Sequence, residues 1–204
     1  MANYATNPEF FHLLSAMTQI SYKPFTSDDF EQVIELGTLV HGTGYIDSSN
    51  IRAWYEKGIK SGINAGFVAY DNDKLVGFRI TYATNNWTID QWCSPDKWQI
   101  ESSKVCYFKC NTVDENYRGY GIGSQLLKLS IDAAKAQGAL AGISHLWRQS
   151  PGNSAVKYFT KCGGKLVQSH PDKWHQDSLN GYNCTICGYD CHCEAAEMII
   201  YFDD

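Results

Sequence analysis

The segment NTVDENYRGYGIGS, residues 111–124, lies between two strongly patterned parts of the sequence. Residues 104–113 are rich in branched and aromatic side chains, which predicts a strand. Residues 121–137 carry apolar side chains at helical spacing and are followed by Gly138, which predicts a long helix. The segment is therefore a glycine-rich turn between a strand and a helix. The first amides of a helix have no partner within it, and the helix dipole adds roughly half a positive charge there.

The free amides and the dipole predict that this turn binds an anion such as pyrophosphate. Glycine at positions 119, 121 and 123 favours this, because a Cβ would hold phosphate oxygens away from the backbone. Two better-known motifs do not fit. The Lys-Ser/Thr pair of the NTPase phosphate-binding loop does not follow, and the glycine spacing differs from Gly-x-Gly-x-x-Gly of dinucleotide-binding folds. The alternative is a glycine-rich helix start without a ligand.

The rest of the chain alternates between strand and helix patterns. We predict strands over residues 20–25, 66–70, 75–81, 140–147, 165–169 and 196–202, and helices that start at 26–29 and 47–50 and that span 154–161. Residues 1–18 also carry apolar side chains at helical spacing and predict a short N-terminal helix. The mixture of hairpin and crossover connections predicts a mixed α/β (α+β) sheet with helices on both faces.

Composition narrows the function classes. The chain has 204 residues, with 17 basic and 22 acidic side chains and a net charge of −5. This length suits a single domain over residues 1–204 with a sizeable core. A net acidic chain without a Lys/Arg cluster is not expected to bind nucleic acid, and the apolar runs are too short to span a membrane. The N-terminus shows no secretion pattern, so we expect a cytoplasmic protein.

The glycine-rich segment resembles the signature of the GNAT family, the acetyl-CoA-dependent N-acetyltransferases. The family pattern Arg/Gln-x-x-Gly-x-Gly/Ala is matched by Arg118-Gly119-Tyr120-Gly121-Ile122-Gly123. Downstream, a second and looser family signature is matched by Asn153, Ala155, Tyr158-Phe159 and Cys162-Gly163-Gly164. The order of predicted elements over residues 19–170 and in the last strand is also similar to the family's order. The resemblance implies a GNAT-like acyl-CoA N-acyltransferase fold.

The resemblance also implies the cosubstrate and the reaction. Acetyl-CoA would lie between the strand before the turn and its parallel neighbour at 140–147, and an amide of the splayed strand would polarise the thioester carbonyl. The residues that would hold it are Asn111, Val113, Arg118, Gly119, Tyr120, Gly121, Ile122, Gly123, Ser124 and Asn153. A neutral primary amine would then attack the thioester directly. The resemblance leaves a homodimer open.

The acid and the base depart from the family pattern. Counted from Gly163, the family's tyrosine position holds Phe159, so we predict that Tyr158, one residue earlier, protonates the leaving thiolate. The alternative is that the thiolate leaves without an acid. The family's glutamate position on the strand before the turn holds Val105. We therefore take the base to be Glu101, and the alternatives are Asp90, His145 and Asp47.

Two segments are candidates for the acceptor site. Residues 83–103 interleave three tryptophans with acidic residues, a composition that suits an organic cation; these are Trp87, Trp92, Trp98, Asp90, Asp96 and Glu101. The alternative is a loop that its tryptophans anchor in the core. In the second segment, His41, Tyr45 and Asp47 lie where the resemblance implies an acceptor wall. We predict a primary amine as acceptor and slightly favour a small cation. The alternative function is a non-catalytic acyl-CoA-binding sensor or interaction module.

Four of the eight cysteines fall within ten residues, inside a predicted insertion over residues 170–195; these are Cys184, Cys187, Cys191 and Cys193. Thiolates suit Zn²⁺, and four ligands complete a closed structural site. His175 or His192 could replace one of the cysteines. Free or redox-active thiols are the alternative, and a disulfide is least expected in a reducing compartment. A closed site would do no chemistry but would hold the last hairpin beside the acceptor pocket.

Overall fold

The computed structural model describes residues 20–202. The N-terminal helix predicted for residues 1–18 lies outside this part of the chain. The strands are β1 Ser21–Pro24, β2 Ile59–Lys60, β3 Ile63–Asn64, β4 Phe67–Asp71, β5 Lys74–Tyr82, β6 Val105–Val113, β7 Ala141–Trp147, β8 Lys165–His170 and β9 Ala195–Tyr201. The helices are α1 Phe30–His41, α2 Ile51–Lys57, α3 Ile122–Ala136, α4 Ser154–Lys161 and α5 His175–Leu179. Short 3₁₀ turns connect several of these elements.

Seven of these strands form one mixed sheet in the order β1-β4-β5-β6-β7-β9-β8. The β6–β7 pair is parallel, and the other neighbours in this sheet are antiparallel. Strands β2 and β3 form a separate small hairpin that the sequence did not predict. Its turn contains Ser61 and Gly62, both with positive φ. The mixed α/β sheet predicted from the sequence is confirmed.

Helices cover both faces of the sheet, as predicted. Helix α1 starts after a capping box in which Thr26 and Asp29 satisfy each other's backbone amides. The buried side chains of α1 and α2, Val33, Leu36 and Ile51, pack with residues of β4 and β5 on one face. On the other face, Ile122 and Leu126 of α3 pack on Ala69 and Val76, and Leu127 and Ala134 share a second cluster with Phe159 of α4 and Met198 of β9. Within residues 20–202, no helix has both the length and the apolar character needed to cross a lipid bilayer.

Candidate active site

The central feature of the site is a gap between the two parallel strands. Strands β6 and β7 pair from Val105–Ala141 to Tyr107–Ile143, and beyond that point they diverge. The register of β6 against β5 shifts between Ile80 and Thr81, which leaves Lys109 as an extra residue in β6. Such a bulge bends the strand and redirects its side chains. The divergence opens a cavity of about 550 Å³.

The glycine-rich turn forms one end of this cavity. Gly119 and Gly121 have φ of 87° and 81°, a region that side chains with a Cβ rarely adopt. Gly121 is the N-cap of α3, and no side chain of the described residues caps this end. The first hydrogen bond within the helix runs from the Gln125 amide to the Gly121 carbonyl. A Cβ at Gly123 would lie 3.2 Å from Nδ2 of Asn111. The helix start is therefore bare backbone that faces the cavity, as an anion site requires.

The cavity wall contains eight of the ten residues predicted to hold the cosubstrate: Asn111, Val113, Arg118, Gly119, Gly121, Ile122, Gly123 and Ser124. The Tyr120 side chain is 75% exposed and does not line the cavity. Asn153 also lies outside the wall, although its neighbours Pro151 and Ser154 belong to it. The side-chain oxygens of Asn111 and Asn153 are buried and have no hydrogen-bond partner in the described part of the chain.

Tyr158 reaches the cavity beside a buried arginine that the sequence analysis did not select. Its hydroxyl accepts a hydrogen bond from Nη1 of Arg79 at 2.9 Å and donates to the carbonyl of Gly123 at 3.3 Å. Arg79 is 2% exposed, its Cζ lies 4.6 Å from the Phe108 ring centroid, and no carboxylate of residues 20–202 forms an ion pair with it. Burial raises the pKa of Tyr158, and the Arg79 charge opposes that rise. A protonated hydroxyl beside a fixed positive charge suits proton donation to a thiolate.

A second hydroxyl group, that of Tyr107, lies where β6 and β7 are still paired and lines a neighbouring cavity. The Tyr107 hydroxyl lies 3.0 Å from Nδ1 of His145, and Nε2 of His145 hydrogen-bonds to the carbonyl of Trp92. A carbonyl only accepts, so Nε2 carries the hydrogen and Nδ1 accepts from Tyr107. Burial lowers the pKa of His145 to about 4, and the imidazole is therefore neutral at pH 7.

A buried hydrogen-bond network centred on Glu197 lies behind the Tyr107–His145 pair. Glu197 accepts from the Ser94 amide at 2.9 Å and from Nε1 of Trp98 at 2.7 Å, and its other oxygen lies 3.0 Å from Nε2 of His170. The His170 ring lies 5.5 Å from the His145 ring. Because Glu197 is fully buried, these partners are needed to offset the loss of water around its charge.

Of the four predicted bases, two lie in cavity walls and two do not. Glu101 is exposed and accepts a hydrogen bond from the Ser103 hydroxyl. It lines neither this cavity nor the second cavity that adjoins it. Asp90 is also exposed and lines neither cavity, and its carboxylate accepts a hydrogen bond from the Trp92 amide. The structure therefore does not bring Glu101 to the cleft. Among the predicted bases, it brings His145 and Asp47 to cavity walls.

A second cavity of about 530 Å³ adjoins the first, and Tyr45, Lys109, His145, Trp174 and Tyr182 line both. The α1–α2 connection supplies Asp47 to its wall, and the insertion supplies Lys173 and Asp177. The insertion is attached to α1, because Tyr182 donates to the carbonyl of His41 at 3.0 Å. His41 itself hydrogen-bonds to Thr112 at 2.8 Å, and burial lowers its pKa to about 4.

The tryptophan-rich loop does not form this second cavity. Trp98 is fully buried, Trp87 packs against it, and Nε1 of Trp87 donates to the carbonyl of Val105 at 3.1 Å. Trp92 lies edge-on to His170. None of the three tryptophans lines either cavity. Of the two interpretations of residues 83–103, the structure supports a loop anchored in the core.

The four clustered cysteines converge in the insertion. Their sulfurs lie within 4.8 Å of one another, with 3.5 Å between Cys187 and Cys193 and 4.0 Å between Cys184 and Cys193. Sulfurs around one Zn²⁺ lie about 3.8 Å apart, given Zn–S bonds of about 2.3 Å in a tetrahedron. Burial opposes ionisation of Cys184, but hydrogen bonds from the amides of Ile186 and Cys187 leave its pKa below the usual value. The donor set and the spacing therefore fit a zinc ion.

Comparisons with known proteins agree with this geometry. The model of the GNAT family of acetyltransferases matches residues 30–164. Comparison with curated protein sequences yields no significant match.

Solved structures share the fold across nearly the whole chain. Ard1 from Thermoplasma volcanium has a TM-score of 0.65 at 14% identity, covering 91% of this chain and 99% of its own. YncA, a putative acetyltransferase from Salmonella typhimurium with its cofactor acetyl-CoA, has a TM-score of 0.63 at 16% identity, covering 91% and 95%. Arabidopsis thaliana Naa50, in complex with the bisubstrate analogue CoA-Ac-MVNAL, has a TM-score of 0.58 at 21% identity, covering 90% and 99%.

Proposed function

Because this chain belongs to the GNAT acetyltransferase family, we propose that it transfers an acetyl group from acetyl-CoA to a primary amine by direct attack of the amine on the thioester. The observation that carries this proposal is the gap between β6 and β7, which ends at a bare helix start and has the Tyr158 hydroxyl in its wall. The gap shares His145 with the adjoining cavity, where His145 bonds to the Tyr107 hydroxyl. Those hydroxyls also weaken the case for a non-catalytic acyl-CoA sensor, which depended on the lack of an acid and a base at the family's usual positions.

Backbone groups are proposed to bind the cosubstrate. The amides at the start of α3 would hold the pyrophosphate, and the pantetheine arm would occupy the edge of β6 that β7 leaves unpaired. The carbonyl of Val113 now accepts from Nε of Arg118 at 3.2 Å. Arg118 would turn from this carbonyl toward the phosphates as the arm binds. An amide of β6 would then polarise the thioester carbonyl.

Tyr107 and His145 are proposed to remove the proton from the amine. An ammonium ion has no lone pair for the attack, so the acceptor must lose a proton first. The Tyr107 hydroxyl can accept that proton while it passes its own to Nδ1 of His145. His145 can accept it because burial keeps the ring neutral. With a pKa of about 4 the ring is a weak base, so it would hold the proton only transiently and pass it on to water.

Tyr158 is proposed to protonate the departing thiolate. Its hydroxyl hydrogen now bonds to the Gly123 carbonyl at 3.3 Å, a long bond that a nearby thiolate could replace. Arg79 would hold the tyrosine oxygen in place and stabilise the negative charge that develops on the sulfur.

We further propose that Cys184, Cys187, Cys191 and Cys193 bind one structural Zn²⁺. The ion would do no chemistry, because four thiolates complete its coordination. It would fix the insertion against α1 and so keep Tyr182 at the junction of the two cavities.

The test of the enzyme proposal measures CoA release with acetyl-CoA and a panel of primary amines. We expect turnover with at least one amine, and we expect acetyl-CoA to raise the melting temperature. Arg79→Met should lower kcat by about tenfold or more while acetyl-CoA still raises the melting temperature, because the guanidinium acts on charge that develops in the transition state. Tight CoA binding with no turnover on any amine would favour the sensor instead.

A further inference from the structure

The second cavity contains two lysines for which the described residues supply no counterion. Lys109 comes from the bulge in β6, and its Nζ lies 4.4 Å from the Trp54 ring centroid and 5.3 Å from that of Tyr45. Lys173 comes from the insertion, and its Nζ lies 5.4 Å from the Trp92 ring centroid. Both lysines are half-buried, and among residues 20–202 neither forms an ion pair or a hydrogen bond through its ammonium group. Each ammonium group therefore contacts an aromatic ring but no carboxylate within ion-pair distance.

No other charged group of the cavity forms an ion pair with Lys109 or Lys173 in the described part of the chain. The Asp47 carboxylate accepts hydrogen bonds from the amides of Ser49 and Asn50. Asp177 is exposed and beyond ion-pair distance of either lysine, and His145 is neutral at pH 7. The Asp177 charge opposes the lowering of the pKa of both lysines, and Asp90 opposes that of Lys173, but neither carboxylate forms an ion pair with them. The two ammonium groups therefore lack a direct counterion in the described part of the chain.

The Lys173 charge also weakens the charged form of Lys109. Burial, with a further contribution from the Lys173 charge, lowers the pKa of Lys109 to about 8. Burial likewise lowers the pKa of Lys173. An anion bound between the two ammonium groups would relieve this repulsion and restore both to full charge.

We propose that the acceptor amine carries a carboxylate and that Lys109 and Lys173 bind this carboxylate. The inference rests on the proposed acetyl transfer, because it places the amine at Tyr107. Tyr107 and Lys109 both line the second cavity, and their Cα atoms, two residues apart in β6, are separated by at most about 7 Å, so they can hold the two ends of one small molecule. The acceptor class is therefore an amino acid or a related amine, either free or as an acidic residue beside a peptide N-terminus.

The same charges would assist the reaction. A positive environment disfavours a second positive charge, so the lysines would lower the pKa of the bound amine and increase its neutral, reactive fraction. An amine without a carboxylate would meet this repulsion with no compensating attraction. Small organic cations, which the composition alone slightly favoured, would then be poor acceptors.

The test compares acceptors in matched pairs: β-alanine with β-alaninamide, and a peptide Ala-Glu-Ala-amide with Ala-Gln-Ala-amide. We expect kcat/KM to be about tenfold or more higher for the acid member of at least one pair, because only the carboxylate forms a charge-assisted hydrogen bond with the ammonium groups. The amide of the first pair has the more acidic amine and so a larger neutral fraction, which works against the expected result. The pair that shows the preference tells whether the carboxylate belongs to a free amino acid or to a side chain of a peptide.

Variants assign the preference to the lysines. Lys109→Gln and Lys173→Gln should each reduce the acid-to-amide ratio toward one, while the melting shift with acetyl-CoA is retained. Lys165→Gln is the matched control, because Lys165 also lies over an aromatic ring, that of Tyr201, but lines neither cavity. It should keep the wild-type ratio.

Failure of this inference is distinguishable from failure of the proposed function. Acetyl transfer with equal kcat/KM for acids and amides, or a ratio that both lysine variants leave unchanged, overturns the inference alone. If no amine is acetylated, calorimetry on the CoA complex with N-acetyl-β-alanine and its amide still tests the site. Tighter, lysine-dependent binding of the acid supports the carboxylate site, and equal binding of the two rejects it.

Discussion

The glycine-rich turn and the cysteine-rich insertion (residues 170–195) border the same cleft but are built in opposite ways. The turn presents backbone amides, and its helix α3 is anchored by the buried side chains of Ile122 and Leu126. The insertion contains the five-residue helix α5 and a small buried cluster of three cysteines and neighbouring aromatic side chains. One wall of the cleft is thus made of main chain, and the other of side chains that converge from distant segments.

This difference suggests a division of labour. Backbone amides recognise a diphosphate in the same way whatever side chains surround them, which suits a common cosubstrate. Side chains such as Lys173 and Tyr182 can change without disturbing the sheet, which suits a variable acceptor. The two walls should therefore respond separately to substitution, and the strongest response is expected where they meet.

The largest effect is expected beside that junction, for Tyr107→Phe, because the Tyr107 hydroxyl bonds to His145, which lines both cavities. Loss of the hydroxyl breaks the proposed proton path to His145, and general base catalysis typically contributes about 10²–10⁴-fold. We expect kcat/KM to fall by this amount in a steady-state assay, with acetyl-CoA affinity unchanged by calorimetry. The matched control is Tyr55→Phe, because Tyr55 is a half-buried aromatic that lines neither cavity. Unchanged kcat/KM in Tyr107→Phe would exclude the tyrosine from the proton path.

An intermediate effect is expected in the insertion, for Cys184→Ser or removal of metal by a chelator. The purified protein should contain about one equivalent of zinc, and its loss should lower the melting temperature by about 5 °C or more. KM for the acceptor should rise, while the affinity for acetyl-CoA should stay within about twofold, because the turn does not depend on the insertion.

Cys93→Ser is the control for this experiment, since Cys93 is half-buried but lies outside the cluster. It should keep both the metal and the melting temperature. Metal-free protein that unfolds at the same temperature with and without chelator would reject the zinc site.

The smallest effect is expected at the turn, for Gly121→Ala. A Cβ meets no atom within 4 Å there, so the cost comes from the φ of 81° and should be about 1 kcal/mol. Gly138→Ala is a close control, because Gly138 has a φ of 89° and equal free space but lies at the other end of α3. Both variants should lose about 2–4 °C of melting temperature. Only Gly121→Ala should weaken acetyl-CoA binding, and equal affinities in calorimetry would show that the turn does not hold the cosubstrate.

Much of the fold was accessible from local patterns. Strand and helix bounds agree within a residue or two because alternation, apolar spacing and capping residues are properties of neighbouring positions, as for α4, predicted over 154–161 and observed as Ser154–Lys161. The hairpin β2–β3 was missed because two-residue strands give no periodicity. The side chains of Tyr120 and Asn153 fall outside the cavity wall although both lie in matched motifs, because a motif fixes the backbone more strictly than it directs each side chain.

The catalytic candidates were harder to predict because they depend on pairs that are distant in sequence. Arg79 lies in the continuously buried part of β5, and Lys109 lies at a half-buried position of the alternating strand β6. A charged residue inside a central strand was the signal available for both. Glu101 was selected for its chemistry, yet it lies on an exposed loop. The proximity of Tyr107 to His145 follows from the parallel pairing of β6 with β7, which the spacing of residues does not reveal.

The sequence by itself determined the strand–turn–helix that presents bare amides, because glycine conformation, apolar spacing and helix starts act between residues close in the chain. It also determined that four cysteines lie near one another, since ten residues cannot separate them far. Only the tertiary structure decided which charges face the acceptor. The tryptophan loop, for which composition left cation binding and core anchoring open, packs in the core, and two lysines from β6 and the insertion line the second cavity, because side-chain burial is settled by the packing of the whole sheet.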